Sequence, residues 1–68
     1  MSTVFQLNGK PADAVTGSTI AELLAGRDID PLHVVVEVNQ AIINRDDFAA
    51  TVIDPGDRVE ILRFVGGG

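Results

Sequence analysis

The sequence contains no cysteine, and this absence excludes several kinds of chemistry together. Disulfide bonds, thiolate metal sites and cysteine nucleophiles all require that residue. Ferredoxin-type clusters are excluded for the same reason, because cysteine thiolates hold them. The chain also has one histidine, His33. A single histidine without paired ligands does not make a metal site, so we expect no metal and no bound cofactor.

Basic residues are few, with five against ten acidic residues, and the formal net charge is −5. They are scattered along the chain as Lys10, Arg27, Arg45, Arg58 and Arg63. Nucleic-acid binding needs a clustered basic face that neutralises phosphates, so we expect no nucleic-acid partner. The acidic balance favours a soluble protein that is steered toward a basic partner.

Long apolar runs are also missing. No uncharged stretch approaches the roughly 20 apolar residues of a membrane span. The first residues carry no basic region typical of a signal peptide. We therefore expect no membrane association and a cytoplasmic location.

The first half of the chain predicts a β-hairpin followed by a helix. Asn8-Gly9 is a strong two-residue turn signal between β-forming segments, and Pro11 indicates an edge strand. Residues 19–22 match a capping box, in which Thr19 and Glu22 exchange hydrogen bonds. Ile20, Leu23 and Leu24 then form one apolar helical face. We predict that Gly26 ends this helix in the left-handed conformation.

The second half predicts three more strands, with Phe48 inserted into the core. On residues 32–39 alternate valines share a face, and residues 54–57 form a turn before the last strand. The order β-β-α-β-β-β, with one helix covering one face of a small mixed sheet, indicates an α+β protein. We expect a β-grasp (ubiquitin-like) fold of four to five strands on one helix. The expected domain is residues 1–65, followed by a flexible glycine tail, residues 66–68.

The Gly66-Gly67-Gly68 tail is the most unusual feature of the sequence. A frayed terminus or a cloning scar would explain it without a function. Glycine lacks a Cβ atom, however, so such a tail is thin enough to enter a narrow channel in another protein. Three residues beyond Val65 reach on the order of 10 Å. The Gly68 carboxylate, ionised near neutral pH, can attack the α-phosphate of ATP and become an activated acyl-adenylate.

An ordered set of motifs carries a family resemblance over essentially the whole chain. The set comprises residues 7–10, 19–24, 38–43, 45–48, 55–61 and the final Val65-Gly66-Gly67-Gly68. It resembles the ThiS family of thiamine-biosynthesis sulfur carriers. Gln40 stands where that family often has glycine, and Phe48 stands where it often has tryptophan.

The resemblance implies a carrier protein that is not itself an enzyme. An E1-like (ThiF-type) enzyme would adenylate the carboxylate of Gly68 with ATP and Mg²⁺, while Gly66 and Gly67 thread its active site. A cysteine desulfurase or sulfurtransferase would supply sulfur to form a thiocarboxylate. A ThiG-type thiazole synthase would then take that sulfur. We expect a monomer when the protein is free.

The last strand predicts a surface for these partners. If Val59 and Ile61 face the helix, then Leu62 and Phe64 face outward and adjoin Val35 on the neighbouring strand. We interpret Val35, Leu62 and Phe64 as a docking patch beside the tail, although exposed apolar area is common. A slip of one residue would instead place Phe64 in the core.

Three other functions remain open from the residues alone. The small subunit of molybdopterin synthase uses the same carrier chemistry, but its chains are usually longer and often have Pro and Ala before the final glycines, both of which residues 63–66 lack. A β-grasp interaction module would work without a free terminal carboxylate. A protein-conjugating modifier would transfer its tail to a lysine.

Overall fold

The computed structural model describes residues 1–64, so Val65 and the Gly66–Gly68 tail lie outside the described residues. In this part of the chain the elements are β1 (Ser2–Leu7), β2 (Lys10–Val15), α1 (Ile20–Gly26), β3 (Val34–Val38), β4 (Ala41–Ile43) and β5 (Arg58–Arg63). Single-turn 3₁₀ helices span Pro31–His33 and Arg45–Asp47. The predicted order of strands and helix is confirmed.

The five strands form one mixed sheet in the order β2-β1-β5-β3-β4. The pair β1–β5 is parallel, and the other three pairs are antiparallel. One helix on one face of this sheet is the expected β-grasp arrangement. Pro11 lies on the edge strand β2, where its missing N–H costs no ladder bond. The last strand along the described chain, β5, lies in the middle of the sheet.

Helix α1 starts with the predicted capping box. The Thr19 N–H donates to Oε1 of Glu22 at 2.9 Å, and the Glu22 N–H donates to Oγ1 of Thr19 at 3.2 Å. Ile20, Leu23 and Leu24 are the buried residues of the helix, as their spacing predicts. Within residues 1–64, no helix is long and apolar enough to cross a membrane.

The prediction for the end of α1 is wrong in one respect. Gly26 is the last helical residue, and the left-handed residue is Asp28, with φ of 56°. The Ile29 N–H donates to the Leu24 carbonyl at 3.0 Å, and the Asp28 N–H donates to the Ala25 carbonyl at 3.2 Å. This is the paired bonding of a Schellman motif. It places half-buried Ile29 against the core, so packing of Ile29 sets where the helix ends.

The core lies between α1 and the inner face of the sheet. Its fully buried side chains come from the helix, from the sheet and from the long connection before β5, where Phe48 is 4% exposed. The expected role of Phe48 is therefore confirmed. The buried apolar set is Phe5, Ile20, Leu23, Leu24, Val34, Val36, Phe48, Ile53, Val59 and Ile61.

Two asparagines in hairpin turns bind the backbone of β5 from opposite sides. Asn8 (φ 50°) precedes Gly9 in the β1–β2 turn, and Asn39 (φ 52°) precedes Gln40 (φ 72°) in the β3–β4 turn. Oδ1 of Asn8 accepts the Ile61 N–H at 2.8 Å, and Oδ1 of Asn39 accepts the Arg58 N–H at 3.0 Å. Both turns have positive φ at two successive residues, as type I′ hairpins require. Each turn thus closes a hairpin and fixes the central strand.

Candidate docking surface beside the tail

The outer face of β3 and β5, on the side of the sheet away from α1, carries the residues expected to bind a partner. Val35 on β3 lies directly opposite Leu62 on β5. Val35 is half-buried, whereas Leu62 is 52% exposed. A pair of apolar side chains on the solvent side of the sheet therefore stands two residues before the end of the described chain.

Phe64 belongs to the same surface. Its N–H donates to the His33 carbonyl at 3.3 Å, so antiparallel pairing with the chain before β3 continues past the end of β5. Val59 and Ile61 are buried and Phe64 is 46% exposed. The predicted alternation of β5 is thus confirmed, and the alternative position of Phe64 in the core is wrong. We define the docking patch as Val35, Leu62 and Phe64.

An acidic pair lies next to this patch. Glu37 and Glu60 are directly opposite each other on β3 and β5, one residue pair beyond Val36 and Ile61. Ile42 on β4, 68% exposed, lies opposite Glu37. Among residues 1–64 the only close contact between basic and acidic side chains joins Nδ1 of His33 to Oδ2 of Asp30 at 3.8 Å, so no ion pair joins either glutamate to a cationic side chain there. Strand alternation puts both glutamates on the outer face, and the register between β3 and β5 makes them neighbours.

Other acidic residues and the single histidine lie in or beside the two 3₁₀ helices. Oδ1 of Asp30 accepts the Leu32 N–H at 2.9 Å and caps a 3₁₀ helix, while His33 beside it is exposed. Asp46 and Asp47 are exposed in the second 3₁₀ helix. Within residues 1–64, no group of three acidic or histidine side chains is close enough to hold a metal ion. The expected carrier residue Gly68 and the threading residues Gly66 and Gly67 lie beyond the described part.

Comparison with known proteins gives a consistent result over nearly all of the chain. The model of the ThiS family matches residues 5–68. The sulfur carrier protein ThiS of Bacillus subtilis is 39% identical over 67 residues, which cover 96% of this chain and 100% of that protein. A thiazole synthase of Magnetococcus marinus is 40% identical over 62 residues, or 91% of this chain. The chain spans 19% of the length of that thiazole synthase.

A solved structure shows the same fold. The crystal structure of the thiamine biosynthesis protein ThiS from Geobacter metallireducens superposes with a TM-score of 0.78 and 37% sequence identity. The match covers 97% of this chain and 100% of that one. The agreement of sequence and fold over nearly the whole chain leads to one conclusion: this chain belongs to the ThiS family.

Proposed function

We propose that the chain carries sulfur as a thiocarboxylate on the terminal carboxylate of Gly68. The observation that carries this proposal is the family match that extends through the glycine tail, residues 66–68. The fold supports it, because β5 is held between β1 and β3 in the middle of the sheet and so gives the tail a fixed base. Partner enzymes supply the catalysis, and this chain supplies a positioned carboxylate.

Sulfur is loaded onto Gly68 in two proposed steps, adenylation of the carboxylate and then addition of sulfur. An E1-like, ThiF-type enzyme with ATP and Mg²⁺ lets a Gly68 carboxylate oxygen attack the α-phosphate, and pyrophosphate leaves. A sulfur nucleophile then adds to the acyl carbon and AMP leaves. Where a cysteine desulfurase or sulfurtransferase delivers a persulfide, a thiol supplies the two electrons that cleave the resulting acyl disulfide. The chain has no cysteine, so the sulfur and the reducing thiol both come from partners.

A ThiG-type thiazole synthase is the proposed acceptor of the sulfur. Support comes from the thiazole synthases of Magnetococcus marinus and Paramagnetospirillum magneticum, each of which contains a segment similar to this chain over 62 residues. As the bond between the acyl carbon and sulfur breaks, an oxygen from the acceptor substrate or from water bonds to that carbon, and the tail returns to its carboxylate form. The docking patch of Val35, Leu62 and Phe64 would hold the end of β5 while Gly66 and Gly67 occupy the partner's channel.

The test is the intact mass of the protein incubated with the adenylating enzyme, ATP, Mg²⁺ and a sulfur donor. Loading replaces one oxygen of the Gly68 carboxylate by sulfur, and fragmentation places that mass difference on the last residue. A chain lacking Gly68 should keep its melting temperature and fail to form the adenylate. Adenylate formation by the shortened chain, or a mass gain elsewhere in the sequence, would contradict the proposal.

A further inference from the structure

The turn between β1 and β2 combines a reactive sequence with an exposed position. In a flexible chain, the backbone nitrogen of Gly9 can lose its proton to base and bond to Cγ of Asn8, because glycine has no side chain that hinders the approach. The side-chain nitrogen of Asn8 then leaves as ammonia, and a cyclic succinimide remains. Water opens this ring at either carbonyl, which gives aspartate or isoaspartate. Asn8 and Gly9 are both exposed, so water reaches the turn.

The folded chain holds the amide of Asn8 away from this reaction. Oδ1 accepts the Ile61 N–H at 2.8 Å, and Nδ2 donates to the Ile61 carbonyl at 3.4 Å, so both polar atoms of the amide face β5. The turn itself, with φ of 50° at Asn8 and 81° at Gly9, fixes the backbone torsions that ring closure must change. Ring closure therefore requires that the amide leaves Ile61 and that the turn opens.

We infer that Asn8 is a deamidation site, and that its reaction rate is set by how often β5 separates from the Asn8 amide. Local openings of this kind occur in native proteins at free energies below that of global unfolding. Deamidation does not reverse in water, so each opening that leads to ring closure leaves a permanently modified chain. The turn thus records past separation of β5 in a stable covalent form.

Both products weaken the hold on β5. In the aspartate product a carboxylate oxygen replaces Nδ2, so the Ile61 carbonyl faces an acceptor instead of a donor. In the isoaspartate product the main chain runs through the former side-chain carbonyl, which lengthens a two-residue turn and disturbs the register of the hairpin. Because β5 leads directly into residues 64–68, the modification loosens the strand from which the tail extends.

Asn39 provides an internal control with similar local structure. It also begins a two-residue turn, with φ of 52°, and its amide is held by two hydrogen bonds, from the Arg58 N–H at 3.0 Å and to Oδ1 of Asp57 at 3.0 Å. The next residue is Gln40, whose side chain hinders attack by its backbone nitrogen. We expect Asn39 to stay intact while Asn8 reacts. Gln40→Gly gives Asn39 the same neighbour as Asn8 and should make it reactive as well.

Peptide mapping by mass spectrometry, after incubation of the protein in mildly alkaline buffer with and without urea, measures each asparagine separately. Reaction with an isoaspartyl methyltransferase and a labelled methyl donor identifies the isoaspartate product. We expect Asn8 to react at least about tenfold faster in urea than in the folded chain. Equal rates in the two conditions would overturn the control by β5. No reaction at Asn8 in urea, or equal reaction at Asn8 and Asn39, would overturn the assignment of the site.

Two further variants test the connection to β5 in the folded chain. Asn39→Gly removes the side-chain bond to the Arg58 N–H of β5, so it should speed deamidation of Asn8 by about threefold or more. Asn44→Gly, which removes no such bond, should leave the rate within about twofold of the parent. Equal effects of these two variants would contradict the connection.

Asn8→Asp reproduces the aspartate product. We expect it to lower Tm by about 2–8 °C and to speed hydrogen exchange at the Ile61 amide. An unchanged Tm with unchanged exchange at Ile61 would overturn the conclusion that the modification loosens β5. None of these measurements uses a partner enzyme, so their outcome is independent of the sulfur-loading experiment.

Discussion

The side-chain amide of Asn8 bonds both backbone polar groups of Ile61, 53 residues later in the chain. Its Oδ1 accepts the Ile61 N–H at 2.8 Å, and its Nδ2 donates to the Ile61 carbonyl at 3.4 Å. The backbone register between β1 and β5 covers only Gln6 with Arg58 and Leu7 with Val59. The side chain of Asn8 therefore continues the pairing where β1 has already turned away.

We predict that Asn8→Gly lowers the free energy of unfolding by about 1–2 kcal/mol more than Asn44→Gly does. Glycine also favours the positive φ of residue 8, which offsets part of the loss, so the predicted difference is a lower bound on the contribution of the amide. Asn44 is exposed and makes no side-chain hydrogen bond within residues 1–64, so its substitution reports the entropic cost of a new glycine. Urea unfolding of both variants gives the comparison. Equal losses would contradict the predicted stabilisation of β5 by the amide of Asn8.

Gln40 occupies a backbone conformation that favours glycine, with φ of 72°. Compared with glycine, a residue with a Cβ atom in this conformation destabilises the fold by about 1–2 kcal/mol. Part of this is offset because its unfolded chain has less conformational entropy to lose on folding. We predict that Gln40→Gly raises the free energy of unfolding by about 0.5–1 kcal/mol. Gln40→Ala keeps the strain and should stay within about 0.5 kcal/mol of the parent. Thermal melts that rank the alanine variant at or above the glycine variant would refute the strain argument.

Gly26 is helical, has no positive φ, and has no atom within 4 Å of the point that a Cβ atom would occupy. We therefore predict that Gly26→Ala stabilises the fold by about 0.5–1 kcal/mol, because alanine loses less entropy in a helix. Gly56 also has open space around it, but its φ is 81°. Gly56→Ala should then destabilise by about 1–2 kcal/mol. Chemical denaturation of the pair tests the assignment, and the same sign for both would contradict it.

For the docking patch, we predict that Phe64→Asp weakens binding to the adenylating enzyme by roughly 30-fold, or about 2 kcal/mol, without unfolding the domain. Phe64 is exposed in the free chain, but a carboxylate there would lose water in the complex without gaining a partner. Val15→Asp is the control, since Val15 is 72% exposed on the edge strand β2. Circular dichroism melts and binding titrations should be run on both variants. Unchanged binding by Phe64→Asp would remove the docking patch from the mechanism.

Sequence reasoning succeeded where the information was local. The faces of β3 and β5 follow from a period of two, so the residue pattern alone places Val59 and Ile61 inward and Leu62 outward. The capping box of Thr19 and Glu22 lies within one turn of chain, so the residue types and their spacing are enough to predict it.

It failed where distant segments decide the outcome. Glycine is the residue most often found in the left-handed conformation after a helix, which is why the sequence points to Gly26. In the structure Ile29 packs against the core, and the residue with positive φ is Asp28. The opposition of Glu37 and Glu60 depends on the register between β3 and β5, which the long connection between them, including β4, does not fix. The bonds from Asn8 to Ile61 depend in the same way on where β5 enters the sheet.

The central position of β5 has a consequence for how the protein is made. Strands β1 and β2 form one hairpin and β3 and β4 form another, and in the sheet they are joined only through β5. A ribosome releases β5 after both hairpins, so the two halves have no ladder between them until β5 itself is free to pair. Nascent chains that stop earlier cannot complete the sheet, and exposed hairpin edges leave them open to proteolysis. The sheet is therefore complete only in chains that contain the segment leading to the tail, so a finished fold and the presence of that segment go together.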